Sequence, residues 1–213
     1  MESFPLPYHG YTVYVALFAR LQNAAALRQR LVTASTLAAD EDGDRERAAV
    51  DFAFVDAKMI TSRLHLLTAV QQALLARADD SLKTKTLHSE VLWMLEPGTN
   101  ITDSLKHFGL SPSTTSLVLV HIAPSPLPAD DAAAQQRANE DVLRRMEAVV
   151  EGELVALEAL GRLPDGGTDE KALRKIYKLN QDVALKGLPS GSTEALEAID
   201  KLVTSAVALK VAM

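Results

Sequence analysis

The stretch TKTLHSEVLWMLEPGTNITDSLKHFGLSPSTTSLVLVHI, residues 84–122, holds the clearest succession of elements in this 213-residue chain. Its apolar run at 87–95 predicts a strand, which the following Pro-Gly pair ends. Asn100 can cap a helix, and Gly109 is placed to give that helix a left-handed exit. The β-branched and apolar run at 117–122 predicts another strand. Strands and helices therefore alternate within one segment.

The preceding segment continues this alternation. Residues 11–18 (YTVYVALF) predict a buried strand, and residues 23–37 carry apolar side chains at the spacing of one helix face. The charged run DEDGDRER at 40–47 indicates a solvated loop. Residues 50–60 predict a strand, and Ser62 can cap the helix that follows it.

Beyond residue 123 the pattern becomes helical. A Pro-rich linker leads into a predicted helix at about 130–161, a second helix spans about 168–180, and Ser192 or Thr193 caps a last helix. We therefore expect an α+β fold with a four-stranded mixed sheet, flanking helices and a helical C-terminal region. A single domain over 1–213 is predicted, with a sheet-containing core at about 8–123 and a helical part at about 129–213.

Composition excludes several classes of protein. The chain has no cysteine, which excludes disulfides, thiolate zinc sites and cysteine nucleophiles. Its net charge of −6 is unlike that of a freestanding nucleic-acid binder, so any RNA contact requires a local basic patch. The first residues lack a basic region before an apolar core, and no apolar run approaches the ~20 residues of a membrane span. We expect an intracellular protein with no membrane contact.

The sequence offers little chemistry. It contains none of the common phosphate-loop, nucleophile-elbow, dinucleotide or zinc-protease motifs. On a strand, His88 and Glu90 would point to one face and Ser89 to the other, which separates a nucleophile from its base. We predict no catalytic residue, no metal and no cofactor. A small transferase using His88 and Glu90 is the enzyme alternative.

One stretch departs from the acidic average, because Lys83 to His88 carries two lysines, two threonines and a histidine. Lysines and hydroxyls suit phosphate and sugar oxygens. An ordinary charged strand end is the competing interpretation. The candidate RNA-contact residues are Arg63, Lys83, Lys85, Thr86, His88 and Lys106.

The segment 84–122 also carries a resemblance to a known family. The string Leu82 to Glu90 (LKTKTLHSE), the Asn100-Ile101 helix start, the Phe108-Gly109 helix end and the apolar strand at 117–122 resemble the TPRKB-like subunits of the EKC/KEOPS complex. The similarity covers about residues 50–122, and the two ends agree in layout only. A fungal member of the family is indicated.

The resemblance implies a non-catalytic, regulatory subunit. It would bind the complex's atypical, PRPK-type kinase and, through it, a carbamoyltransferase-like ATPase subunit and a small dimerising subunit. The complex installs threonylcarbamoyl on an adenosine of tRNA, and the subunit is implied to act as an allosteric effector that also touches the tRNA 3′ end, weakly when alone. A nuclear and cytoplasmic location and links to telomeres and transcription are implied as well.

The last helix supplies the candidate kinase contact. Its apolar stripe can dock on a partner or pack on the chain's own core. Relatives are implied to hold the kinase with their C-terminal segment, so we predict docking. The candidates are Ile199, Leu202, Val203, Ala206, Leu209 and Lys210. A scaffold subunit of another assembly is the alternative function.

Overall fold

The computed structural model describes residues 1–125, 131–163 and 167–210. The chain forms two compact units, each assembled from two separated stretches. The first, the sheet unit, comprises residues 1–55 and 110–157. The second, the helical unit, comprises residues 56–109 and 158–213. Each unit therefore draws on both halves of the chain, and the single domain stays a prediction.

The elements alternate along the described residues. The strands are β1 Glu2–Leu6, β2 Tyr11–Ala19, β3 Ala53–Asp56, β4 Leu117–Pro124 and β5 Glu153–Val155. The α-helices are α1 Ala24–Thr36, α2 Glu41–Ala49, α3 Arg63–Ala78, α4 Leu87–Leu95, α5 Ile101–His107, α6 Ala132–Glu147, α7 Glu170–Ile176 and α8 Thr193–Leu209.

The sheet has the strand order β1-β2-β4-β3, and β5 pairs with β2. The β1–β2, β2–β4 and β2–β5 pairs are antiparallel, with Val15 opposite Val120 in the central pair. The α+β class is thus confirmed. In the described residues the sheet has five strands, because the short strands β1 and β5 add to three that the sequence predicted, while the fourth predicted strand is a helix.

The core of the sheet unit lies against β2 and β4. Tyr14 and Phe18 from β2 and Leu117 and Leu119 from β4 are at most 2% exposed. Met146 of α6 joins the same cluster. Because the central strands are covered by neighbours, their sequences are continuous apolar runs, which made both strands predictable.

The charged segment at 40–47 forms most of α2, and the prediction of a loop was wrong. The Asp40 carboxylate accepts a hydrogen bond of 2.8 Å from Gly43 N. The first turn carries three further acids, and Arg47 lies in the last turn. Negative charge at the start and positive charge at the end favour a helix electrostatically.

The helical unit is organised around α3, which packs against both α4 and α8. Ser62, Asn100 and Ser192 cap α3, α5 and α8 as the sequence predicted. Gly109 does not have the predicted left-handed backbone. A Cβ built there would lie 2.5 Å from the Leu105 carbonyl oxygen, so close packing is what requires glycine.

The apolar run at 87–95 forms α4, and the prediction of a strand was wrong. Most of its residues are buried, so the run shows no polar face. Thr86 and Ser89 form a capping box, in which the Thr86 hydroxyl accepts from Ser89 N at 3.1 Å and the Ser89 hydroxyl accepts from Thr86 N at 3.2 Å. His88, Ser89 and Glu90 consequently occupy one helical turn rather than alternate faces of a strand.

Other boundaries are shorter than predicted. The strand expected at 50–60 is β3 followed by a 3₁₀ turn at Ala57–Met59. The helix expected to reach residue 161 ends at Glu147, before β5. After α7 the chain continues as two 3₁₀ turns, Leu179–Gln181 and Val183–Leu185. Among the described residues, no helix combines the length and apolarity that crossing a membrane requires.

Candidate partner-binding site

The apolar residues of α8 are divided between the core and the surface. Ile199 and Val203 are fully buried, as is Ala195, and Val207 is 1% exposed. These four residues recur every fourth position, so they form one stripe, and α8 packs against α3. Ile199 and Val203 therefore stabilise the helical unit, although they were predicted to contact a kinase.

A second stripe remains accessible beside the buried one. Leu202 and Ala206 are partly buried, and Leu209 is 56% exposed. Gln72 Nε2, in the second half of α3, donates a hydrogen bond of 2.8 Å to the Ala208 carbonyl oxygen, which joins α3 to the end of α8. Leu75, one turn further along α3, is 39% exposed. We call Leu75, Leu202, Ala206 and Leu209 the α8 face.

Lys210 has an intramolecular role that the sequence did not indicate. Its ammonium group donates to the carbonyl oxygens of Trp93, Glu96 (2.5 Å) and Gly98 (2.9 Å). It also lies 3.4 Å from the centroid of the Trp93 ring. Burial lowers the pKa of Lys210 to about 8, although the carboxylates of Glu96 and Glu90 act in the opposite direction. Lys210 thus satisfies carbonyl groups at the end of α4.

A buried polar network joins four helices of the same unit. The Thr61 hydroxyl donates to Asp200 Oδ1 at 2.5 Å and lies 3.2 Å from His65 Nδ1. His65 Nε2 lies 3.4 Å from the Tyr177 hydroxyl, which donates to the Leu95 carbonyl oxygen.

Burial sets the ionisation state of this network. It lowers the pKa of His65 to about 4, which the Asp200 carboxylate opposes, so the imidazole is neutral at pH 7. It also raises the pKa of the Tyr177 hydroxyl, an effect that the Glu96 carboxylate reinforces. Both rings are therefore uncharged parts of the packing.

The structure does not bring the six predicted RNA-contact residues together. Lys83, Lys85 and Thr86 are exposed in the loop between α3 and α4, whereas His88 is 6% exposed. Arg63 begins α3, so the length of that helix, about 22 Å, separates it from the loop.

Lys106 is also remote from that loop. It lies near the end of α5, and His107 Nδ1 beside it is 2.7 Å from Glu96 Oε2, just after α4 ends. The connecting loop lies before the first residue of α4, at its opposite end. Only the loop residues Lys83, Lys85 and Thr86 therefore remain one local patch.

A buried carboxylate holds this loop, and sequence reasoning missed it. Glu90 is fully buried, and its Oε2 accepts hydrogen bonds from Lys83 N (3.1 Å), Thr84 N (2.8 Å) and the Thr84 hydroxyl (2.7 Å). The capping box at Thr86 and Ser89 was the available signal, since it places Glu90 in the first helical turn. Glu90 is an anchor for the loop, which argues against its use as the base of a transferase.

Comparisons with known proteins identify the class. The family model described as "Kinase binding protein CGI-121" matches residues 18–211. A Cryptococcus neoformans protein named "EKC/KEOPS complex subunit CGI121" is 32% identical, with 98% of this chain and 96% of the relative aligned. Proteins of the same name from two other fungi are also similar to this chain. The Gibberella zeae protein is 32% identical, with 94% of this chain and 92% of the relative aligned. The Neurospora crassa protein is 30% identical, with 99% and 96% aligned.

These matches define a member of a kinase-binding family. The chain belongs to the CGI-121 family, whose fungal members bear the name of an EKC/KEOPS complex subunit. The resemblance to the EKC/KEOPS subunits found in residues 84–122 is therefore confirmed.

Proposed function

We propose that the chain is a non-catalytic, regulatory subunit of the EKC/KEOPS complex that binds the complex's atypical kinase. Family membership over residues 18–211 is the observation that carries this proposal. The chain would support threonylcarbamoyladenosine modification of tRNA by acting on the kinase as an allosteric effector. It would reach the ATPase and the small dimerising subunit indirectly, in the nucleus and cytoplasm, and share the complex's links to telomeres and transcription.

The α8 face is the proposed kinase contact. Its residues are apolar and exposed in part, whereas Ile199 and Val203 are enclosed by their own unit. Burying a whole leucine side chain contributes about 1.5–3 kcal/mol, so the exposed part of Leu209 can contribute about 1 kcal/mol. The full face can supply about 2–3 kcal/mol before the costs of ordering the interface.

Point substitutions test this contact better than truncation. Removing residues 200–213 would delete Val203 and Val207, both buried, and would therefore damage the helical unit itself. Leu202→Ala combined with Leu209→Ala removes apolar surface while keeping the helix, since alanine is the best helix former. The matched control is Val32→Ala with Leu37→Ala, two residues of the sheet unit that are 49% and 40% exposed.

Calorimetric titration with the purified kinase shows whether the α8 face contributes to binding. The α8 variant should bind about tenfold to thirtyfold more weakly, which corresponds to about 1.4–2 kcal/mol, and the control should bind like wild type. Far-UV circular dichroism should show similar melting for all three proteins. Unchanged affinity in the α8 variant, or an equal loss in the control, would remove the α8 face from the interface.

The loop carrying Lys83, Lys85 and Thr86 is the proposed tRNA contact. Its cations are exposed, and the buried Glu90 fixes the backbone that presents them. Lys83→Glu with Lys85→Glu should weaken tRNA binding by the assembled complex. It should also flatten the dependence of log K on log salt by roughly 0.7 for each lost contact to a single strand. An unchanged slope of log K against log salt would show that the loop does not contact tRNA phosphates.

A further inference from the structure

The cations of this acidic chain are unevenly distributed. All ten lysines lie within residues 56–109 and 158–213, the helical unit, whereas the sheet unit combines eight arginines with fourteen carboxylates. The segment 171–186 (KALRKIYKLNQDVALK) is the most basic part, with four lysines, Arg174 and a single carboxylate, Asp182. Neither the kinase contact nor the RNA-contact loop uses this segment.

Four lysines lie in and just after α7. Lys171 and Lys175 are one turn apart in α7 and therefore lie on the same side of that helix. Lys178 follows the helix with a left-handed backbone (φ 58°). All three are exposed, and so is Lys186 beyond the 3₁₀ turns. We call these four residues the lysine row.

No carboxylate neutralises the charges of the row, which is also true of the other described lysines. Arg174, in the same helix, pairs with Glu170 at 2.7 Å. Within residues 1–125, 131–163 and 167–210, by contrast, no ion pair engages any lysine of the row. Like charges four residues apart in a helix, such as Lys171 and Lys175, destabilise that helix. The arrangement costs stability in the free protein, and a negatively charged partner would recover it.

An exposed apolar side chain lies between two of these lysines in the sequence. Val183 is 84% exposed, at the start of a 3₁₀ turn that the buried Leu185 anchors. Lys178 and Lys186 flank this turn in sequence. The surface therefore offers both positive charge and one projecting apolar group.

These features fit a protein segment better than a nucleic acid. A phosphate backbone gains nothing from an apolar side chain such as Val183. A short peptide can place separate carboxylates on the lysines and an apolar residue on Val183. We propose that the lysine row and Val183 bind an acidic segment of a partner protein that contains a large apolar residue.

This surface is separate from the proposed RNA-contact loop. Tyr177, next to Lys178, bonds to the Leu95 carbonyl oxygen at the last residue of α4, whereas the loop precedes the first residue of that helix. The length of α4, about 13 Å along its axis, therefore separates the two basic surfaces. The proposal goes beyond kinase binding and does not require it.

A fluorescent peptide with several glutamates around one leucine tests the proposal against the full-length chain by anisotropy. Lys171→Gln, Lys175→Gln and Lys178→Gln together should weaken binding about tenfold, because each exposed ion pair changes affinity by roughly twofold to fivefold. Val183→Ser alone should weaken it about threefold to fivefold. The matched control, Arg77→Gln, Arg162→Gln and Lys201→Gln, removes the same charge from exposed positions of the same unit.

The control should bind the peptide like wild type. An equal loss in the control would show attraction by net charge alone and would overturn the proposal. Tighter binding of an RNA duplex than of the peptide, lost in the lysine-row variant, would assign the surface to nucleic acid instead. The same variants are also titrated with the kinase. Loss of peptide binding with unchanged kinase affinity would show that this surface acts independently of the α8 face.

Discussion

Replacing Glu90 with glutamine tests how the loop that carries Lys83, Lys85 and Thr86 is held in place. The change preserves shape but removes the negative charge that three donors from Lys83 and Thr84 share. The new amide also places its own N–H groups where only acceptors fit. The loop backbone should then lose its attachment to α4.

The expected loss of stability follows from those bonds. Hydrogen bonds to a charged group contribute about 1.5–3 kcal/mol, and a buried donor left without a partner costs about 1–3 kcal/mol. The glutamine carbonyl oxygen can still accept some of these hydrogen bonds. We therefore expect Glu90→Gln to lower the free energy of unfolding by about 3 kcal/mol. Trp93, the chain's one tryptophan, lies in the same helix and reports urea unfolding by fluorescence.

Limited proteolysis supplies a second, local measurement. Trypsin cleaves after lysine, so a released loop should be cut at Lys83 and Lys85 faster in Glu90→Gln than in wild type. Glu194→Gln, an exposed change in the first turn of α8, is the matched control and should alter neither measurement strongly. A loss below about 1 kcal/mol together with unchanged cleavage would refute the role of Glu90 as anchor.

Two further predictions concern the helical unit. The pKa of His65 is about 4 when folded, against an ordinary value of 6.5, so the unfolded chain binds a proton first as the pH falls. Wild type should therefore lose up to about 3 kcal/mol of stability between pH 6.5 and 4 through this group. Urea titrations of His65→Gln at several pH values should show a free energy of unfolding that falls less steeply below pH 6.5. A pH dependence equal to that of wild type would exclude a contribution from His65. Lys210→Met should destabilise the unit by about 2 kcal/mol and shift the Trp93 emission, because carbonyl groups at the end of α4 lose their donor. Lys201→Met is its control, and identical effects in both variants would argue against a specific role of Lys210 at the end of α4.

The elements that the sequence predicted correctly carry strong local signals. The central strands β2 and β4 are continuous apolar runs, and α3 and α8 begin at serines that cap them. The short strand β1 escaped notice because the sequence ESFPL contains a proline and lacks a strand pattern.

The errors have physical reasons. Helix α4 is buried on nearly all sides, and an apolar run without periodicity cannot distinguish a buried helix from a buried strand. The sequence of α2 predicts a loop because it is almost wholly charged, although Asp40 and Arg47 mark the two ends of the helix.

The residues of the candidate site could likewise be predicted only in part from local sequence patterns. The apolar stripe of α8 was identified, but its division into buried and exposed residues depends on the packing of α3, which no local pattern encodes. The hydrogen bond from Lys210 to the Glu96 carbonyl oxygen joins residues more than a hundred positions apart, so no local sequence pattern indicates it.

Calorimetric titration of the purified, full-length chain with the purified kinase of the EKC/KEOPS complex tests the central claim most directly. We predict a saturable one-to-one interaction with a negative heat-capacity change, because the α8 face would be buried in the complex. Absence of heat and of co-elution at concentrations well above those in cells would contradict the assignment of this chain as a kinase-binding subunit.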